Sequence, residues 1–147
     1  PFESYYEEDG GLEVKGTYKD GELDGPYECY NEFGDLEKKE TYKDGELDGP
    51  YEFYHSNGQL QVKGTCKNCK VDCPEESYHR NGQLEEKGTY KDGLRLDGPY
   101  ERYYENGQLR EKRTYRGGKR DGPYECYHKD GETVTRDPCP PGPEDGN

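Results

Sequence analysis

Three of the six cysteines in this chain of 147 residues fall close together, at Cys66, Cys69 and Cys73, and His79 follows. Three thiolates and an imidazole can hold zinc in a tetrahedral site. Two of the thiols can instead oxidise to a disulfide, or all can stay reduced. An even cysteine count in a small acidic chain fits disulfides and an oxidising compartment. A secreted or cell-surface protein is therefore expected, with a cytoplasmic one as the alternative. Cys29 and Cys126 occupy the same position of a repeat described below, about 8 strands apart, too far to meet in a flat ribbon. Cys139 shares a face with Cys126, and a Cys126–Cys139 bond would pin the C-terminal tail to the last hairpin.

Other chemistry is sparse. His55, His79 and His128 recur at one repeat position, ~10 Å between neighbouring units. That spacing is too wide for a shared metal, so they read as surface turn histidines. The Asp and Glu rows face Lys or Arg, and no Asp/Gly nonapeptide calcium loop is present. No Gly-rich phosphate loop precedes a helix, and no nucleophile stands beside a base. Neither an enzyme nor a cofactor is expected. The net charge of −13 disfavours nucleic acid and anionic membrane surfaces, both polyanions. No apolar run reaches membrane-spanning length. No secretory signal is visible, and the start at Pro1 reads as processed or trimmed.

The elements that must position these residues follow from a period. Lys19-Asp20-Gly21-Glu22-Leu23-Asp24-Gly25-Pro26-Tyr27 returns as Lys43-Asp44-Gly45-Glu46-Leu47-Asp48-Gly49-Pro50-Tyr51. It returns, altered, near Lys67, Lys91 and Arg116. The preceding Thr stands at 17, 41, 65, 89 and 114. A fixed period of this size marks a repeat architecture. Only 26% of residues are hydrophobic and 37% are charged, which alone would suggest disorder. Sixteen tyrosines and strict periodicity argue for order, because each unit of a stack buries its face on its neighbours.

Two turn sets alternate. One comprises Asp9-Gly10, Phe33-Gly34, Asn57-Gly58, Asn81-Gly82, Asn106-Gly107 and Asp130-Gly131. The other comprises Asp20-Gly21, Asp44-Gly45, Asn68-Cys69, Asp92-Gly93 and Gly117-Gly118. Asn-Gly and Asp-Gly favour two-residue type I′ hairpins. Tyr-, Thr-, Val- and Leu-rich stretches lie between them, giving a β-meander with two strands per repeat. With two-residue turns, Asn31 faces Leu36, Glu28 faces Lys39, Gly25 faces Tyr42 and Gly16 faces Gly25. Nine acid–base pairs then oppose: Asp24–Lys43, Glu28–Lys39, Asp48–Lys67, Glu52–Lys63, Asp72–Lys91, Glu76–Lys87, Asp97–Arg116, Glu101–Lys112 and Glu125–Arg136. Each favours this register by ~0.2–1 kcal/mol.

Alternation assigns the faces. One face is apolar, with Tyr18, Tyr27, Tyr42, Tyr51, Phe53, Tyr90, Tyr100, Tyr115 and Tyr124. The other is wet, with the ion pairs. In this register Cys66 and Cys73 share the apolar face diagonally, ~7–8 Å between Cα atoms. That is long for a disulfide, though a distorted turn at Cys69 closes it. Disulfide, reduced thiols and metal all stay open. Glu75 stands where other units have Tyr. Asp92–Asp97 carries one extra residue, read as a longer turn or bulge. The expected fold is all-β: an elongated, twisted, single-layer antiparallel meander of tandem 24-residue hairpin repeats. The repeat domain spans 1–137, a half unit and five repeats with the last incomplete. A Pro/Gly-rich tail occupies 138–147.

The units resemble MORN repeats (membrane occupation and recognition nexus), in the variant form of bacterial proteins described as antitoxin-like. The resemblance rests on Tyr54-His55-Ser56-Asn57-Gly58-Gln59-Leu60 followed by Lys63-Gly64-Thr65. It rests equally on Tyr78-His79-Arg80-Asn81-Gly82-Gln83-Leu84 and Tyr103-Tyr104-Glu105-Asn106-Gly107-Gln108-Leu109. The family often has Trp where this chain has Tyr27, Tyr51, Tyr100 and Tyr124, and the cysteines are not part of its pattern. The resemblance implies an elongated antiparallel sheet that scaffolds, self-associates or binds a partner, without catalysis. The apolar face and the open first and last strands point to the same roles: head-to-tail or face-to-face assembly with itself, extending to filaments, or binding of another protein. One alternative is an antitoxin-like inhibitor of a partner enzyme. The other is a metal- or redox-binding protein using Cys66, Cys69, Cys73 and His79.

Overall fold

The computed structural model describes residues 1–8, 10–67, 73–92 and 95–134. The strands follow the turn signals in chain order. β1 (Phe2–Tyr5) and β2 (Leu12–Gly16) form the half unit. β3 (Tyr18–Lys19) and β4 (Glu22–Leu23) flank Asp20-Gly21. Then come β5 (Gly25–Tyr30), β6 (Leu36–Lys43), β7 (Glu46–Leu47) and β8 (Gly49–Tyr54). β9 (Leu60–Cys66), β10 (Cys73–Tyr78), β11 (Leu84–Lys91) and β12 (Arg95–Leu96) follow. β13 (Gly98–Tyr103), β14 (Leu109–Arg116), β15 (Lys119–Arg120), β16 (Glu125–Tyr127) and β17 (Thr133–Val134) complete the described chain.

One open antiparallel sheet runs β1-β2-β5-β6-β8-β9-β10-β11-β13-β14-β16-β17. β7, β12 and β15 are short pieces that pair back on β6, β11 and β14, and β3 pairs β4. Apart from these short tip pieces, every step goes to the next strand in sequence, as expected of a meander. No helix occurs among the described residues.

The two turn sets differ. Asp20 and Gly21 have φ of 50° and 85°, and Asp44 and Gly45 have 49° and 78°. These are the two positive values that a type I′ turn needs. The Asn-Gly set is not of this kind, which corrects the sequence reading. Gly58 has φ 83°, but the described non-glycine residues at positive φ are Asp20, Asp44 and Asp92 alone. The Gly58 N–H donates to the His55 carbonyl, and the His55 N–H donates to the Gln59 carbonyl. This is a type I turn closed by a left-handed glycine, a three-residue loop with a bulge. Asn57 selects it, because its Oδ1 accepts the Gln59 N–H at 3.0 Å.

The bulge shifts the register by one residue, so Leu36 faces Tyr30 rather than Asn31. Beyond it the pairs Glu28–Lys39 and Gly25–Tyr42 stand opposed as read. A second irregularity follows each Asp-Gly tip. Tyr18 faces Leu23, but Lys15 faces Glu28, two residues out of step. Gly16 therefore meets Tyr27 instead of Gly25. A Cβ on Gly16 would lie 3.1 Å from the Tyr27 ring. Near the C-terminus Cys126 faces Val134, one residue away from the register that opposes Glu125 to Arg136. Asp9, Asn68, Cys69, Asp72, Gly93, Leu94, Arg136, Cys139 and the tail 138–147 lie outside the described residues.

Candidate interaction surfaces

The wet face carries a charged row that crosses the sheet from β1 to β16. Glu3 faces Lys15, Lys15 faces Glu28, and Glu28 faces Lys39. The row continues through Glu52, Lys63, Glu76, Lys87, Glu101, Lys112 and Glu125. Sign alternates at every strand, so each interior charge lies between two opposite ones. Lys15–Glu28 is 2.6 Å, Lys63–Glu76 3.1 Å and Lys87–Glu101 2.8 Å. Single exposed pairs contribute little, but a network of them fixes register.

Tyrosines reinforce this row, and the sequence reading missed them. Each Glu accepts a hydroxyl from the Tyr two residues on, because i and i+2 share a face. Tyr30 donates to Glu28, Tyr54 to Glu52 and Tyr78 to Glu76, each at 2.5 Å. Tyr103–Glu101 and Tyr127–Glu125 are 2.6 Å, and Tyr5 donates to Glu3. Lys15 and Lys63 also sit 5.8 Å and 5.6 Å from the Tyr30 and Tyr78 ring centres. The repeated Tyr-Glu-x-Tyr spacing was the available signal.

The charges tune one another. The Lys15 ammonium, then the Tyr30 hydroxyl, hold Glu28 below the usual carboxylate range. Tyr78, then Lys63, do the same for Glu76. Burial works against Glu101, but Lys87 and Tyr103 outweigh it and its pKa is lowered. Burial, then the bond to Glu52, pushes Tyr54 up to about 12.

Beside the charged row runs one of alternating Pro and Thr. Pro26 faces Thr41, Pro50 faces Thr65, Pro74 faces Thr89 and Pro99 faces Thr114. A groove of about 490 Å³ follows the two rows from Pro50 to Pro99.

The opposite face holds the aromatic set. Tyr51 and Tyr100 are buried, at 7% and 8% exposure, while Tyr18 is 52% exposed. Tyr27, Tyr42, Phe53, Tyr90, Tyr115 and Tyr124 are half-buried. The face is thus partly covered by its own side chains, where the sequence reading expected one open apolar patch. The glycines explain this. Tyr51 lies over Gly64, where an added Cβ would strike the ring, and Tyr100 lies against Gly88, where an added Cβ would meet Leu96 at 2.9 Å and the Tyr100 ring at 3.1 Å. Tyr27 and Tyr42 meet edge to face at 5.8 Å, and Tyr100 and Tyr115 at 5.5 Å.

In the third unit Cys66 takes the place of Tyr42 and Tyr115. It forms a disulfide with Cys73, with Cα atoms 4.9 Å apart. The diagonal placement was wrong. Glu75 faces Gly64, and that register brings Cys66 and Cys73 directly opposite. A hollow of about 350 Å³ beside them, lined by Leu47, Phe53 and Tyr90, marks the space left by the missing rings. The disulfide uses two of the three thiolates that a Cys66–Cys69–Cys73 metal site needs. His79 is engaged as well, its Nε2 3.0 Å from the Tyr103 carbonyl oxygen. No group of metal ligands forms among the described residues. Cys29 is a thiol that donates to the Tyr27 hydroxyl at 3.4 Å. Cys126 is disulfide-bonded, and its partner lies outside the described residues.

The fifth unit buries a charge pair on this face. Arg113 Nη2 donates to Glu111 Oε2 at 3.0 Å, with both side chains under 10% exposed. The guanidinium also lies 5.4 Å from the Tyr124 ring centre.

The Asn-Gly turns stack into a column that binds unit to unit, interrupted at Asn31, whose Oδ1 accepts the Phe33 and Asp35 N–H groups of its own turn. His55 Nε2 is 2.8 Å from the Tyr78 carbonyl oxygen, as His79 is to Tyr103. Tyr6 and Tyr104 fill the same place with their hydroxyls, donating to the Tyr30 and Tyr127 carbonyls. Asn57, Asn81 and Asn106 donate from Nδ2 to the carbonyls of Arg80, Glu105 and Lys129. His55 and His79 are therefore unit-to-unit connectors, not loose surface residues.

A family model for the MORN repeat variant matches residues 23–44, 47–68, 74–92 and 96–116. The chain belongs to the MORN repeat variant family. No curated protein matches it. As a MORN variant it is a repeat sheet consistent with a scaffolding or binding role. The four matched stretches contain the charged row from Glu28 to Lys112 and the turns at Asn57, Asn81 and Asn106, so the middle of these surfaces is built from the repeat itself. Among the described residues the Cys66–Cys73 disulfide and the Glu111–Arg113 pair each belong to a single unit.

Proposed function

We propose that this chain is a non-catalytic scaffold that binds protein through its sheet, and that one partner is a second copy joined head to tail. The observation carrying this reading is the open sheet. β1 and β17 do not pair, so the described sheet is open rather than closed into a barrel, and an open sheet offers strand edges to a partner. Heterologous end-to-end contacts give filaments when they do not close. The side chains of both faces bond chiefly to one another, which suits a scaffold better than a catalyst. The Cys66–Cys73 disulfide favours a secreted or cell-surface setting. The net charge of −13 weighs against nucleic acid and anionic lipid as partners.

The groove from Pro50 to Pro99 supports one other reading in the same class, an antitoxin-like inhibitor that seats a partner enzyme there. Sedimentation over a hundredfold concentration range tests the main proposal. Growth of end-to-end species with concentration is expected. A single monomeric species throughout would overturn self-association.

A further inference from the structure

Glu75 differs from the other glutamates of the aromatic face. Glu40 pairs with Lys38 at 3.1 Å, Glu86 with Arg102 at 3.7 Å and Glu111 with Arg113 at 3.0 Å. Among the described residues Glu75 has no Lys or Arg partner. Its Oε2 accepts the Tyr51 hydroxyl at 2.5 Å, which fixes the carboxylate and leaves lone-pair sites for a further donor. The residue is half-buried, so a charge without a counter-charge is costly there.

The space beside it comes from two substitutions within the repeat. Rings pair across strands as Tyr27 with Tyr42 and Tyr100 with Tyr115. The corresponding positions in the middle of the sheet are Tyr51 with Cys66 and Glu75 with Tyr90. Each of these pairs has one ring in place of two. The rings that remain, Tyr51 and Tyr90, both line the hollow of about 350 Å³ at the disulfide. Phe53 lines it too, 5.9 Å from Tyr51 between ring centres, and Leu47 adds an aliphatic wall. Glu75 faces Gly64 on one side and Gly88 on the other, so neither facing residue places a Cβ beside it. Among the described residues no cation lines the hollow.

We propose that this hollow binds an organic ammonium ion that carries an apolar body. The Glu75 carboxylate takes the ammonium group in a charge-assisted hydrogen bond. Tyr51, Phe53 and Tyr90 attract the cation through their ring faces. Leu47 and the Cys66–Cys73 disulfide receive the apolar part. Small-ligand sites are of this kind, mostly apolar with a few polar groups that set orientation. An anion is repelled by Glu75. A neutral apolar ligand would bury the carboxylate without a counter-charge. A hard metal ion needs more oxygen ligands than one carboxylate supplies. The site lies within the sheet and stands whether or not copies join head to tail.

Isothermal titration of the full chain with phenethylammonium chloride, at about 0.15 M salt, tests this. One saturable site with a Kd of about 1 mM is expected. Phenethyl alcohol, the uncharged analogue, should bind at least about tenfold more weakly. Glu75→Gln keeps an acceptor for Tyr51 but removes the charge, and should weaken ammonium binding about tenfold. Glu75→Tyr restores the ring of the other units, fills the hollow and should abolish binding. Circular dichroism checks that both variants fold, and nuclear magnetic resonance shifts at Leu47, Phe53 and Tyr90 place the ligand. A short end-blocked peptide with one central lysine offers the same ammonium on a protein chain. Binding tighter than phenethylammonium assigns the site to a partner's lysine, and weaker binding assigns it to a free amine. Saturation by neither cation, equal binding of the alcohol, or affinity unchanged in Glu75→Gln would overturn the site.

Discussion

The hydroxyl of Tyr51 lies 2.5 Å from Oε2 of Glu75, 24 residues further along the chain. The ring reaches it by crossing Gly64, which faces Tyr51 on one side and Glu75 on the other. One side chain thus ties three strands together, and the bare backbone of Gly64 is what lets it pass.

Gly64→Ala should therefore be destabilising. An added Cβ overlaps the Tyr51 hydroxyl, and overpacking of this kind costs about 1–3 kcal/mol. Tyr51→Phe removes the donor to a partly covered carboxylate and should cost about 1–3 kcal/mol. Urea midpoints of both variants check this. A neutral Gly64→Ala would show that the ring can move aside.

The disulfide should matter more than its position in a tight hairpin suggests. Cys66 and Cys73 are 7% and 2% exposed, in the unit that lacks two aromatic rings. The loop-closure relation gives roughly 2–3 kcal/mol for a loop this short. The double change Cys66→Ser and Cys73→Ser isolates it from the bond at Cys126. Thermal melting should show a lower midpoint, and an unchanged midpoint would refute the assignment.

The buried pair in the fifth unit should be intolerant of half-removal. Glu111→Gln leaves the Arg113 guanidinium, 6% exposed on its side chain, without a counter-charge. Breaking such a pair from one side costs roughly 3–5 kcal/mol. Replacing both residues, Glu111→Leu with Arg113→Met, should recover much of the loss. Denaturant titrations of the single and double variants check the contrast.

Stability should fall at both extremes of pH. The folded pKa values of Glu28, Glu76 and Glu101 lie below the ordinary carboxylate value. Their contribution is complete above that value and is lost as pH falls through the lowered ones. Tyr54 is raised from 10.0 to about 12. The folded state holds that proton longer than the unfolded chain does. Its contribution is complete below pH ~10 and is lost as pH rises toward 12. Melting midpoints from pH 2 to 12 should form a plateau with two shoulders. Glu52→Gln should weaken the alkaline shoulder.

The sequence by itself determined the meander. Turn residues at a fixed period set the number and order of strands, and opposed charges chose among registers. Both signals are local or nearest-neighbour, so counting residues between turns was enough. The pairs Glu28–Lys39, Glu52–Lys63, Glu76–Lys87 and Glu101–Lys112 were legible for that reason. Only the tertiary structure decided where the register slips. The Asn57 side chain trades a type I′ turn for a bulged loop, and the step after Asp20-Gly21 moves Tyr27 onto Gly16. A shift of one or two residues leaves the hydrophobic pattern nearly intact but changes which Cα atoms are opposed. That is why Cys66 and Cys73 looked diagonal in sequence and are opposite in space. The second tyrosine set escaped notice because its partners, the Glu residues two places before, had already been assigned to Lys. A carboxylate has two oxygens and four lone-pair sites, so it can serve both, and only side-chain geometry shows that it does.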